Sequence, residues 1–306
     1  MTVMTVTGPV SADELGVVLP HEHLFTNTMR EYRGNGLLHD VDLAVHELKD
    51  YAAHGGQTLV ELTPVEGGRD PEHLAEVSQA SGVHVVMGCG HYREPYLDLD
   101  HFERTSVDGL AETMIREVEQ GVGPTGIRPG IIGEIGSNDE GISPAEEKSF
   151  RAAARTHLAT GLSISTHAAW FPVGLAQLDV LEEEGVAPQR VVIGHCDGVP
   201  GPDYQLTLAR RGCFVELDGF GTDTDFDSER ALDLLMVLRE NGHLAQVLVS
   251  HDVFLRTHLR ARGGPGYSWI ARELVPRLHG RGLSEAEVQQ LLVENPRAAL
   301  TGARIR

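Results

Sequence analysis

The sequence predicts a (β/α)8 barrel built as one domain over residues 1–306. Three observations carry this. Eight short apolar runs alternate with longer helical segments along the whole chain. The runs are continuous rather than alternating, as in Val191-Val192-Ile193, which suits parallel strands buried on both faces. No Pro/Gly/Ser-rich linker divides the 306 residues, although length alone admits two domains.

Strands are expected at Val17–Leu19, Thr58–Leu62, His84–Met87, Ile131–Ile135, Ser163–Thr166, Val191–Gly194, Phe214–Leu217 and Val247–Ser250. The first ends in Pro20-His21-Glu22-His23 and not in a glycine fingerprint, which argues against a doubly wound open sheet. Ser143-Pro144-Ala145-Glu146 is a capping box that opens a helix ended by Gly161, with Phe150, Ala153, Ala154 and Leu158 on one face. Ser284 and Glu287 form a second box, and Asn295-Pro296 is expected to interrupt the helix behind it. Asp227 to Arg239 is a further amphipathic segment. Two long loops, Arg93–Ser106 and Val253–Ser268, are expected over the barrel mouth. Gly121 to Gly126 satisfies G-x-G-x-x-G, but it follows a helical segment and precedes a strand, so it reads as a turn.

Composition narrows the function classes. Lys plus Arg number 25 against 45 Asp plus Glu, a net charge of −20. Such a chain has no electrostatic footprint for nucleic acid or anionic membranes. There is no apolar stretch of a membrane-spanning length of about 18 residues. Met1 to Pro9 shows no basic and apolar leader, so a cytoplasmic protein is expected. Cys89, Cys196 and Cys213 are odd in number and scattered, which disfavours a disulfide framework or a CxxC zinc site.

The chemistry is expected at the C-terminal strand ends, where barrels build their sites. His21 and His23 follow strand one, Glu134 lies in strand four, His167 ends strand five, His195 ends strand six, and His251-Asp252 ends strand eight. His-x-His on a strand presents both rings to one side. A single strand-end histidine is more often plain structure, and His39, His46, His54, His157, His258 and His279 are read so. Chance does not place such residues at five of eight strand ends. His21, His23, Glu134, His167, His195 and Asp252 are too many ligands for one tetrahedral zinc and suit two divalent metals. Zinc is the first expectation, with manganese, cobalt or iron as alternatives.

Substrate contacts are expected from the loops: Tyr92 and Arg93 after strand three, Trp170 and Phe171 beyond His167, and Arg256, Arg260 and Arg262 after strand eight. Arg256 is the first choice for clamping an anion, because it lies nearest Asp252 in sequence. The plain alternatives are surface charge balance for the arginines and ordinary packing for the aromatics. Cys196 is discounted as a nucleophile because its neighbouring histidine is committed to metal.

Gly16-Val17-Val18-Leu19-Pro20-His21-Glu22-His23-Leu24 resembles the first signature of the phosphotriesterase family of the amidohydrolase superfamily. Gly133-Glu134-Ile135-Gly136, Ser165-Thr166-His167, Gly194-His195-Cys196-Asp197, Ser250-His251-Asp252 and Glu294-Asn295-Pro296 follow in the family's order. The loop Gly263–Tyr267 resembles that of the family's homology-protein branch. The resemblance implies a buried metal on His21, His23 and Asp252, and a more exposed one on His167 and His195. Glu134 stands where many members bridge the metals with a carboxylated lysine. Asp252 would take the proton from a bridging hydroxide as it attacks.

Members that degrade paraoxon carry a histidine shortly after strand seven, where this chain offers Gly219. The expected function is therefore a dinuclear metal-dependent hydrolase attacking a lactone, carboxylic ester or amide carbonyl. The alternatives are phosphotriester or phosphoester hydrolysis, N-acyl amidohydrolase activity, and a non-catalytic metal-stabilised binding barrel. The partner is a small molecule, and the resemblance admits a homodimer.

Overall fold

The computed structural model describes residues 1–222 and 228–303. The eight expected apolar runs form one parallel sheet: β1 Val17–Glu22, β2 Gly56–Glu61, β3 His84–Cys89, β4 Ile131–Gly136, β5 Ile164–His167, β6 Val191–Ile193, β7 Phe214–Leu217 and β8 Val247–Val249. Each strand pairs with the next in chain order. A helix follows each of the first seven, from Val41–Ala53 after β1 to Ser228–Glu240 after β7. The apolar core fills the layer between strands and helices, with Leu48, Leu59, Phe150, Ile164, Leu178 and Leu235 fully buried. The protein is thus a (β/α)8 barrel.

The seam between β8 and β1 is closed by one buried carboxylate. Glu22 accepts from the Ser250 hydroxyl at 2.8 Å, from the His251 N–H at 2.9 Å and from the Val253 N–H at 2.9 Å. Backbone bonds from Asp252 N–H to His21 O and from His23 N–H to Val253 O run beside it. The segment bearing Asp252 is thereby fixed to the segment bearing both first-strand histidines.

The far end of the barrel is capped by a hairpin, Thr2–Thr5 with Gly8–Ser11, which the sequence reading did not anticipate. Val3 packs there with Val18, Val60, Val86 and Leu300. The cavity opens at the opposite end, where the strands point their C-termini.

Local expectations met different outcomes. Both capping boxes form: the Ser143 and Ser284 hydroxyls accept from Glu146 and Glu287 N–H. Gly121–Gly126 is a turn around a short 3-10 segment, Gly123–Thr125. Leu158 is 57% exposed, because the buried stripe of its helix runs through Ala152, Ala153 and Thr156 instead. Asn295-Pro296 does not interrupt its helix. A wide π turn, Gln290–Glu294, lets the helix run on into Asn295–Thr301, with proline in the first turn where its missing N–H costs little. Arg93–Ser106 is not a bare loop. It holds the helix Leu99–Arg104, capped by the Asp98 carboxylate accepting from His101 N–H at 3.1 Å. Val253–Ser268 carries two 3-10 turns, Arg256–His258 and Arg260–Arg262. Asp227, the expected start of the amphipathic segment, lies outside the described residues, and the helix runs from Ser228.

Candidate metal centre

The six residues singled out at the strand ends meet at the open end of the barrel. β1 delivers His21, and His23 follows just past its end. β4 delivers Glu134 through Gly133, whose φ of +142° and close approach to the Ser165 carbonyl leave no room for a side chain. His167 closes β5, while His195 and Asp252 follow β6 and β8 with φ of 56° and 53°. Left-handed backbone at two non-glycine residues of one site is strain of the kind that gathers at functional positions.

Two trios of ligand atoms result: His21, His23 and Asp252, and Glu134, His167 and His195. In the first, His23 Nε2 lies 3.2 Å and His21 Nε2 3.9 Å from Asp252 Oδ1. In the second, Glu134 Oε2 lies 3.1 Å from His167 Nδ1 and 3.4 Å from His195 Nε2. Glu134 also faces the first trio, with Oε2 3.4 Å from His21 Nε2 and Oε1 3.7 Å from His23 Nε2. One carboxylate therefore looks onto both sets.

Outer partners decide which ring nitrogens stay free. His21 Nδ1 donates to Glu216 Oε2 at 2.9 Å. His195 Nδ1 donates to Asp218 Oδ1 at 2.9 Å. The Thr63 hydroxyl donates to Glu61 at 2.6 Å, so it accepts from His23 Nδ1 at 2.9 Å. Each of these imidazoles is thus held as the tautomer whose Nε2 lone pair points inward. His167 instead points Nδ1 into the cluster, 2.7 Å from His195 Nε2.

The donor set fits divalent cations. His21 Nε2 is buried with no hydrogen-bond partner among the described residues. His195 Nε2, a lone pair by the argument above, faces His167 Nδ1, and nitrogen and carboxylate donors gathered this closely suit a metal. A third trio, His21, His195 and Asp218, also lies close together. Its imidazole Nδ1 atoms are spent on orienting the rings.

Electrostatics agree. Burial acts to raise the Glu134 carboxyl, but the His167, His195 and His21 rings around it hold it well below the usual carboxylate range. Asp252 is likewise lowered against its burial, through His23 and the charges of His195 and His21. Both would offer ionised carboxylates to a cation. Burial and the adjacent His195 push His167 down to about 4, so its ring is neutral at ordinary pH. Burial also lowers His21 and His195, but the carboxylates packed around them, Asp218 and Glu134 on both, Glu216 on His21 and Asp252 on His195, outweigh it and raise both.

The centre floors a cavity of about 310 Å³. Of the residues expected to touch substrate, Tyr92, Arg93 and Trp170 line it, with Tyr92 buried and Trp170 48% exposed at the rim. The Tyr92 hydroxyl lies 3.4 Å from His167 Nδ1. Arg256 does not line it. That side chain is exposed and borders two other depressions, because its 3-10 turn carries it away from Asp252 despite their closeness in sequence. Of the arginines considered for an anion clamp, Arg93 is the one that lines the cavity. Cys196 is buried and points its thiol at the Ile193 carbonyl, away from the centre.

The reading by strand ends missed the outer carboxylates. Glu216, Asp218 and Asp197 are fully buried, as are Glu61 and Thr63. A signal existed in Phe214-Val215-Glu216-Leu217-Asp218, where two acids two residues apart sit in an otherwise apolar central strand. Fully buried acids are rare unless paired.

The family described as the Phosphotriesterase family matches residues 1–300. A phosphotriesterase homology protein from Escherichia coli (strain K12) is 35% identical over 294 residues, covering 94% of this chain and 98% of that protein. An N-acetyltaurine hydrolase from Tetraodon nigroviridis is 31% identical over 346 residues, covering 98% and 97%. A crystal structure of a lactonase from Listeria monocytogenes superposes with a TM-score of 0.93 at 27% identity, covering 99% of this chain and 100% of the other. Barrel, ligand trios and relatives agree: the chain belongs to the phosphotriesterase family and is a metal-dependent hydrolase.

Proposed function

We propose that this protein hydrolyses a lactone, carboxylic ester or amide at a dinuclear centre formed by His21, His23, Glu134, His167, His195 and Asp252. The observation that carries the reading is Glu134, one carboxylate facing two ligand trios. Two divalent cations, zinc in the first instance, supply an activated water and polarise the scissile carbonyl when bound.

The chain's own groups do the rest. Asp252 is ionised and lines the cavity, so its carboxylate takes up the proton that the attacking water gives up. Burial holds the Tyr92 phenol well above its ordinary pKa, so it stays a donor and can hydrogen-bond the carbonyl or leaving-group oxygen. Trp170 at the rim gives the apolar part of a substrate a wall.

Gly219 also lines the cavity, where phosphotriester-degrading members have a histidine, and its N–H is tied to Asp197 at 2.9 Å. This favours carbonyl over phosphotriester chemistry. The lactonase and N-acetyltaurine hydrolase among the relatives support the same bond classes. Metallated protein should be assayed on matched lactones, aryl esters, N-acyl amines and an aryl phosphotriester. Carbonyl turnover at least tenfold above phosphotriester turnover is expected; the reverse order would overturn the reading.

A further inference from the structure

We infer that Arg93 reads an anionic group on the substrate, so that the pocket selects acyl compounds carrying a carboxylate, sulfonate or phosphate a short distance from the scissile bond. The inference rests on the reading of the centre as a carbonyl hydrolase and adds a substrate class to it.

Arg93 is the one arginine or lysine among the described residues lining the cavity, which also holds the carboxylates of Glu31, Glu134 and Asp252. Its guanidinium carbon lies 5.1 Å from the centre of the Tyr92 ring and 5.2 Å from that of Tyr96, so two aromatic rings hold it. One terminal nitrogen donates to Asn138 and the other to Glu31 Oε2 at 2.5 Å. A guanidinium has five N–H donors, and each terminal nitrogen keeps a second hydrogen after these two bonds. The side chain is only 14% exposed. A cation so far out of water is costly unless an anion compensates it. Glu31, on the short rim helix Met29–Tyr32 and itself 29% exposed, is the anion in place.

Position turns this pair into a selector. Tyr92 spans the gap: its hydroxyl is beside His167, and its ring is beside the guanidinium. Arg93 and the centre thus share Tyr92 as a common neighbour. A substrate whose carbonyl lies at the centre reaches the guanidinium only if its anionic group follows within a few bonds, as in an N-acyl amino acid or N-acyl aminoalkanesulfonate. Such a group shares the guanidinium with Glu31 or takes its place, and the planar fork suits two oxygens of one anion. The competing account is that Arg93 only ties the rim helix to β4 through Glu31 and Asn138.

The test compares N-acetyl-2-aminoethanesulfonate with neutral N-acetylethanolamine on the metallated enzyme, the two sharing their amide and differing in charge. The wild type should prefer the sulfonate at least tenfold in kcat/KM. In Arg93→Gln the ratio should collapse to within about threefold of unity through a rise in KM for the sulfonate. Arg93→Lys, which keeps the charge and loses the fork, should fall between. Glu31→Gln, which removes the competing carboxylate, should lower KM for the sulfonate. Equal use of both substrates by the wild type, or a ratio unmoved in Arg93→Gln and Arg93→Lys, would overturn the anion site while leaving carbonyl hydrolysis standing. If neither amide turns over, calorimetric binding of the sulfonate decides. Weaker binding by Arg93→Gln than by wild type upholds the anion site although the reaction was misread, and equal binding overturns it.

Discussion

Asp218 grips His195 twice, one oxygen accepting from its ring Nδ1 and the other from its backbone N–H, both at 2.9 Å. The second oxygen also lies 3.3 Å from Nδ1 of His21. One buried carboxylate thus orients a histidine from each ligand trio, and ring orientation is what a metal site needs from its surroundings.

Asp218→Asn keeps the size of this group but turns one acceptor into a donor facing an N–H. Metal affinity and kcat/KM should each fall roughly 10–100-fold, the range for outer partners of metal-ligating histidines. Because Asp218 touches both trios, titration with a metal indicator should show both binding steps weakened. Thr63→Ala, which frees only His23 Nδ1, should weaken one step.

Glu134→Gln removes the charge that both trios face. Metal per chain should fall from two toward one or none, and turnover should drop by at least about 100-fold. Elemental analysis after dialysis, together with initial rates, checks this. Two tightly held metals with full activity would contradict the shared-carboxylate arrangement.

Chelation should leave the barrel folded, because the core and the Glu22 seam do not depend on metal. Far-UV circular dichroism should be unchanged. Returning metal at a hundredfold over its dissociation constants adds about 2.7 kcal/mol per site to the folded state, about 5 kcal/mol for two. At roughly 2–4 °C per kcal/mol for a large domain, Tm should rise by about 10–20 °C.

Glu22→Gln tests the seam. Its amide nitrogen replaces an acceptor that Val253 N–H or His251 N–H uses, and an orphaned buried donor costs about 1–3 kcal/mol. A Tm lower by several degrees is expected. Since Asp252 sits between those two residues, metal content should fall as well.

The three thiols are sealed. Burial pushes Cys89 and Cys213 up to about 12 and raises Cys196 too. A disulfide-exchange reagent should titrate fewer than one thiol in the native protein and three after denaturation.

Much of the architecture was legible in sequence because it rests on local, periodic signals. β-branched runs such as Val191-Val192-Ile193 form strands wherever both faces are covered. Polar residues at the strand ends then share one end of the barrel, which brings His21, His23, Glu134, His167, His195 and Asp252 together. The signals that misled were also local. Pro296 reads as a break until a π turn absorbs its missing N–H. Leu158 reads as core until the buried stripe of its helix swings aside.

The barrel, the family and the convergence of His21, His23, Glu134, His167, His195 and Asp252 on one end were thus written in the chain, since strand order and alternation dictate which ends meet. Tertiary structure alone decided what surrounds them. It set Asp218 behind two histidines, closed the seam with Glu22, and chose Arg93 over Arg256 for the cavity wall, because a 3-10 turn carried Arg256 away. The physical reason is distance along the chain. His195 and Asp218 are 23 residues apart and Glu22 and Ser250 are 228 apart, so their contacts exist only once the barrel closes.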